Sequence, residues 1–129
     1  MRNKFLLIII FFLFLFVLTS CTQKADAEYL TGGNWIATAG YEDGEAKGEP
    51  NCHFFEKGLE FKDKETVYNA SFEEEFTYSL SDRNKLTEVT FIQRDRITFT
   101  YNIHVISENE MGFEGLYSGE GESCYLERK

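Results

Sequence analysis

The sequence predicts an all-β fold, an antiparallel up-and-down barrel of about eight strands, with a β-sandwich as the alternative. Three observations predict it. Beyond Cys21, short runs that alternate apolar and polar residues recur between turn clusters, at the spacing of roughly 8–12 residues that small β domains show. No helical periodicity appears in that stretch. Eight strands is also the number at which an antiparallel sheet can close, lose its exposed edges, and enclose side chains or one small ligand.

The elements follow in order. Gly32-Gly33 breaks the chain before a first strand, Asn34 to Ala39. Gly40 to Pro50 reads as a long acidic loop, and Asn51 to Glu56 as a second strand. Lys57-Gly58 turns into Leu59 to Lys62, and Asp63-Lys64-Glu65 turns into Thr66 to Ser71. In Phe72 to Leu80, Phe72, Phe76, Tyr78 and Leu80 share one parity, with Glu74 the exception on that side. Ser81 to Asn84 is rich in turn formers. Lys85 to Ile92 follows, then a polar turn at Gln93 to Asp95. Arg96 to Ile106 is the clearest strand, with Ile97, Phe99, Tyr101, Ile103 and Val105 on one face and Thr98, Thr100, Asn102 and His104 on the other. Ser107 to Glu110 turns, Met111 to Tyr117 returns, Ser118 to Gly121 turns again, and Glu122 to Arg128 is the last strand.

The first 20 residues are not fold material. Arg2 and Lys4 precede an unbroken apolar run of 14 residues, Phe5 to Leu18, and then Leu18-Thr19-Ser20-Cys21. Charge, apolar stretch and small residues in this order mark an export signal, and a membrane-spanning helix needs about 20 apolar residues. The segment resembles a bacterial lipoprotein signal peptide, with Leu18 to Cys21 as its lipobox. That resemblance implies a diacylglyceryl group on Cys21, cleavage before it, and attachment to the cell membrane or outer membrane with the domain facing away from the cytoplasm. Thr22, not aspartate, follows Cys21, which leaves an outer-membrane position open. Residues 21–29 then form a lipidated polar tether, and residues 30–129 the domain.

Cleavage leaves 11 basic against 22 acidic residues, a net charge of −11. Nucleic acid, which needs a basic surface, is excluded as a partner by that balance. A cationic partner is compatible with it, and so is a merely solvated surface. With Cys21 taken by lipid, Cys52 and Cys124 are left as an even pair in an exported domain, which predicts a disulfide; two buried thiols are the alternative.

Gly33-Asn34-Trp35 at the entry to the first strand resembles the Gly-x-Trp signature of the lipocalin-like (calycin) family. The resemblance implies that Gly33 lets the chain approach the barrel floor, that Trp35 plugs it, and that a basic residue of the last strand, here Arg128, packs over the indole. It also implies a disulfide tying the last strand to an early one, as Cys52 and Cys124 would. The other lipocalin motifs are absent and the chain is short for that family.

Tyr68, Phe76, Tyr78, Phe99 and Tyr101 lie on predicted strands as candidate pocket residues, or as core. His53 and His104 lack metal-ligand spacing, and no cofactor or metal is expected. No nucleophile elbow, phosphate loop or Ser/His/Asp series appears, so no catalytic residue is assigned. The expectation is a monomeric, non-catalytic lipoprotein that binds a small apolar or amphipathic ligand. The second reading is a protein-facing inhibitor or immunity-type lipoprotein acting on a cationic partner. A connected cavity favours the first; a filled interior with an exposed acidic loop at Tyr41 to Glu49 favours the second.

Overall fold

Alternating runs become the wall and lining of a closed barrel. A computed structural model of the protein describes residues 23–129 and Lys4; the expected export signal, apart from Lys4, and the expected acylation at Cys21 lie outside the described residues. The barrel strands are β1 (Trp35–Ala39), β4 (Leu59–Phe61), β5 (Thr66–Asn69), β6 (Glu74–Arg83), β7 (Leu86–Gln93), β8 (Ile97–Ser107), β9 (Glu110–Leu116) and β10 (Ser123–Arg128). Each is antiparallel to its neighbours, and the ring runs β1-β10-β9-β8-β7-β6-β5-β4. Trp35 opposite Leu59 closes it, which decides against a sandwich. Side chains alternate across a strand, so one parity lines the interior. In β7 this gives buried Thr87, Val89, Phe91 and Gln93 between half-buried neighbours. Phe91 lies opposite Tyr78 on one side and Phe99 on the other, and Ile103 lies opposite Phe113.

Four expectations are corrected. Asn51 to Glu56 is not a strand. Asn51 bridges Ser123, and His53–Phe55 is a 3-10 turn. The reason is the adjacent pair Phe54-Phe55. Both rings are buried, whereas successive residues of a strand face opposite ways. The Gly40 to Pro50 segment contains a small hairpin, β2 (Tyr41–Glu42) and β3 (Glu45–Ala46), turned through Asp43 and Gly44 at φ 52° and 81°. Positive φ at both central residues is the type I′ geometry that matches strand twist.

The expected turn at Ser81 to Asn84 is displaced. Strand β6 continues to Arg83, and the turn residues are Asn84 and Lys85, both at positive φ. Finally, a helix does follow Cys21. Ala27–Leu30 forms one turn, α1, capped by the Asp26 carboxylate, which accepts from the Tyr29 N–H at 2.8 Å. One turn is too short to leave a periodic trace in sequence.

Ile97 and Phe72 share a parity with interior residues but are 50% and 45% exposed, because Ile97 is the first residue of β8 and Phe72 lies in the β5–β6 turn, both at the rim of the barrel mouth. The expected tether also meets the barrel early. Within residues 23–29, Ala25 and Tyr29 are already buried, and Lys24 pairs with Asp82.

Candidate functional site

At one end the chain closes its own barrel. Trp35 is fully buried, and its Nε1 donates to the Leu30 carbonyl at 2.9 Å. The Arg128 guanidinium carbon lies 4.4 Å from the centre of the Trp35 ring and 5.5 Å from that of Tyr29. Arg128 also donates to the carbonyls of Tyr29, Thr31, Gly32 and Glu108, at 2.6 to 3.2 Å. This satisfies the backbone at the end of α1 and at the β8–β9 turn with one planar cation, a task the point charge of lysine cannot match. Gly33, at φ 72°, leaves room for it: a Cβ there would stand 2.8 Å from Arg128 Cγ.

Tyr29 completes the closure. Its hydroxyl is shared between the carbonyls of Ser107 and Glu110, at 2.8 and 3.0 Å. Burial pushes the phenol up to about 12, Arg128 opposes that shift, and Glu110 adds to it. The phenol of an unfolded chain titrates near 10. The unfolded chain therefore loses this proton first. The Tyr29 contribution is intact below about pH 10 and is lost as pH rises through about 12. The urea midpoint is expected to fall over that window, and Tyr29→Phe to make the fall shallower; an unchanged slope in the variant would refute this assignment.

The interior is occupied by side chains. Phe54 and Phe55 enter from the mouth on their 3-10 turn. Phe54 stacks on Phe99 at 4.0 Å and approaches Phe76 and Phe91 at about 5.5 Å. Phe55 meets Tyr101 at 5.2 Å and Phe113 at 5.4 Å, both edge-on. Such rings bury large area and gain about 0.5–1.5 kcal/mol per pair beyond it. Two restraints hold the turn in place. Cys52, immediately before it, is bonded to Cys124 of β10, with Cα atoms 6.0 Å apart. The buried Asn69 donates from Nδ2 to the Phe54 carbonyl at 2.8 Å and accepts from the Ser71 N–H at 2.9 Å.

Of the five candidate pocket residues, the fold thus brings Phe76, Phe99 and Tyr101 together around Phe54, and Tyr78 against Phe61 at 4.9 Å. Tyr68 is separate. It lies between inward Val67 and Asn69 and pairs with Glu60 and Glu75 on the outer face. The Tyr101 hydroxyl donates to Glu122 Oε2 at 2.7 Å, and burial first, then that carboxylate, raises its pKa. Phe54, Phe55, Asn69 and Tyr29 are not singled out by the sequence. The first two had a signal in the doubled Phe beside Cys52.

Outside the wall, the β2–β3 hairpin lies across β9 and β10. The Tyr41 ring sits where a Cβ on Gly112 would come within 2.5 Å of it, and is 5.3 Å from the His104 ring. His104 in turn faces Glu114 at 3.5 Å. Glu42, Asp43, Glu45 and Glu49 of this segment are all exposed. Its lysine, Lys47, reaches Glu42 at 3.4 Å. Clefts of about 380 and 560 Å³ open on the outer surface, beside the hairpin and beside Tyr117. Among the described residues, no three His, Cys, Asp or Glu side chains are grouped to hold a metal ion.

These features define a closed eight-stranded antiparallel barrel, compatible with a lipocalin-like fold, whose interior is packed with side chains of the chain itself. Comparison with protein families, curated proteins and solved structures found no match to this chain.

Proposed function

We propose that this is a lipid-anchored, non-catalytic envelope protein that binds a cationic protein partner with its outer surface, in the manner of an inhibitor or immunity-type lipoprotein. The observation that carries the reading is the occupation of the barrel by Phe54 and Phe55. A small apolar ligand would have to displace both rings against a disulfide and the Asn69 hydrogen bond. The surface is the part left free to bind, and it carries the net charge of −11 and the exposed acidic hairpin.

Acylation of Cys21 would orient the domain. Lys24 and α1 are at the Trp35 end, so an anchor just upstream would turn that end toward the bilayer. The mouth would face away from it. Attractive charge raises association rates and is screened beyond about 10 Å at 0.1 M salt.

The test is calorimetric titration of the soluble Cys21–Lys129 chain with a basic lysozyme and with an acidic protein of similar size. Saturable 1:1 binding of the basic protein alone, weakening at least tenfold from 20 to 200 mM salt, is expected. Equal or absent binding of both proteins at low salt would remove the proposal.

A further inference from the structure

Tyr117 is an exposed aromatic residue held in a left-handed backbone conformation. It follows β9, is 70% exposed, and has φ 55°. A left-handed backbone is costly for a bulky side chain, and such outliers persist where the surroundings enforce them. Like Tyr117 in the β9–β10 connection, the other non-glycine residues at positive φ sit between paired strands: Asp43, Glu73, Asn84 and Lys85, and Arg94 and Asp95. None of those is aromatic.

The loop that enforces Tyr117 is tied down at both ends. Gly115 N–H donates to the Glu122 carbonyl at 2.8 Å, Glu120 N–H to that of Tyr117 at 3.1 Å, and Glu122 N–H to that of Gly119 at 3.0 Å. Ser118 Oγ donates to the Thr98 carbonyl at 3.2 Å, and Asn51 Nδ2 to that of Gly121 at 3.0 Å. The loop folds so closely onto β9 that a Cβ on Gly115 would lie 1.9 Å from the Gly119 oxygen. Glu122 fixes it to the core through Tyr101. A rigid loop thus presents one exposed ring, which is how a preorganised anchor binds with little loss of side-chain freedom.

Beside the ring is the outer cleft of about 560 Å³, walled by Leu86 and Leu116 and carrying Glu88 and Glu120. Its one guanidinium belongs to Arg83, with Nη1 3.3 Å from the Tyr117 hydroxyl and 3.8 Å from Glu88 Oε1. Both separations are long, and the Arg83 side chain is 64% exposed. The chain itself therefore displays the chemistry that the seat accepts, held loosely.

We infer that the Tyr117 cleft is a seat for an arginine side chain of the partner protein, which displaces Arg83, stacks on Tyr117 and pairs with Glu88 and Glu120. Charge complementarity selects this occupant: two carboxylates and an aromatic face favour a planar cation. The inference rests on the cationic-partner reading above and adds its location.

The experiment follows Tyr117 ring and cleft amide resonances of the Cys21–Lys129 chain by NMR as acetyl-tetra-arginine amide is added in 20 mM salt. Saturating shifts centred on Tyr117, Glu88 and Glu120 are expected. Glu120→Gln should weaken binding at least threefold. Arg83→Ala, which vacates the seat, should tighten it at least threefold, whereas Arg96→Ala, which removes the same charge elsewhere, should change it less than twofold. Tyr117→Gly should abolish the cleft shifts with Tm unchanged or raised, since glycine relieves the left-handed backbone.

Shifts confined to the Glu42–Glu49 hairpin would overturn the seat and leave the cationic-partner reading standing. Equal effects of Arg83→Ala and Arg96→Ala would overturn it too. An absence of any peptide-dependent shift would count against both.

Discussion

Replacing Cys52 and Cys124 together by alanine is expected to lower the stability of the domain by about 4 kcal/mol. The cross-link joins residues 72 apart in sequence, and cutting it returns that loop-closure entropy to the unfolded chain. Domains of this size have net stabilities of only about 5–15 kcal/mol, so the loss takes a large fraction. Alanine is chosen because both cysteines are buried and a serine hydroxyl would add an unpartnered polar group. Urea unfolding of the oxidised wild type, the reduced wild type and the double variant measures the effect. Reduced wild type and double variant should lie close together, well below the oxidised protein; stabilities within 1 kcal/mol of one another would show that the bond restrains little.

The second large effect lies next to that bond. Phe55 is fully buried and meets Phe54, Phe91, Tyr101 and Phe113 at ring separations of 5.2 to 6.5 Å. Phe55→Ala is expected to cost about 3–5 kcal/mol, the sum of lost burial and the cavity left behind. Phe55→Leu, which retains most of the volume, should cost less than half of that. The size of the difference reports how tightly the barrel is filled. If the alanine variant lost under 1 kcal/mol, the two rings would be lodged in space the protein does not need to fill.

What the sequence made legible was whatever repeats. Strand β8 alternates over most of its length, so its inward Tyr101 and Ile103 and its outward Asn102 could be read directly. Pairing of Cys52 with Cys124 followed from counting, because only two cysteines remained. Trp35 and Arg128 face each other at opposite ends of the domain sequence, and a family resemblance was needed to connect them.

The unreadable parts are single-turn or single-residue events. The turn that carries Phe54 and Phe55 reads as a strand in sequence because an aromatic pair after Pro50 and Cys52 has the composition of one. Nothing local distinguishes two rings on one side of a 3-10 turn from two rings on opposite faces of a strand. Phe72 and Ile97 carry the interior parity, yet parity does not tell where the wall ends. Tyr117 closed a predicted strand as an ordinary aromatic. Its exposure and its left-handed backbone arise from Gly115 and Gly119 approaching one another, a contact with no trace in composition. Asn69 reads as one polar residue of the predicted strand Thr66 to Ser71, whereas it is buried and holds the Phe54 carbonyl.

The central claim is that aromatic side chains of the chain itself fill the barrel, which leaves binding to its outer surface. It is tested most directly by titrating the Cys21–Lys129 chain, freed of co-purified lipid, with the fluorescent fatty acid cis-parinaric acid, alongside the Phe54→Ala/Phe55→Ala variant. The account predicts no saturable uptake by the wild type, and a gain of uptake by the variant under conditions where circular dichroism shows it folded. Saturable 1:1 uptake by the wild type at micromolar concentration, altered by Phe99→Ala or Tyr101→Ala, would contradict it.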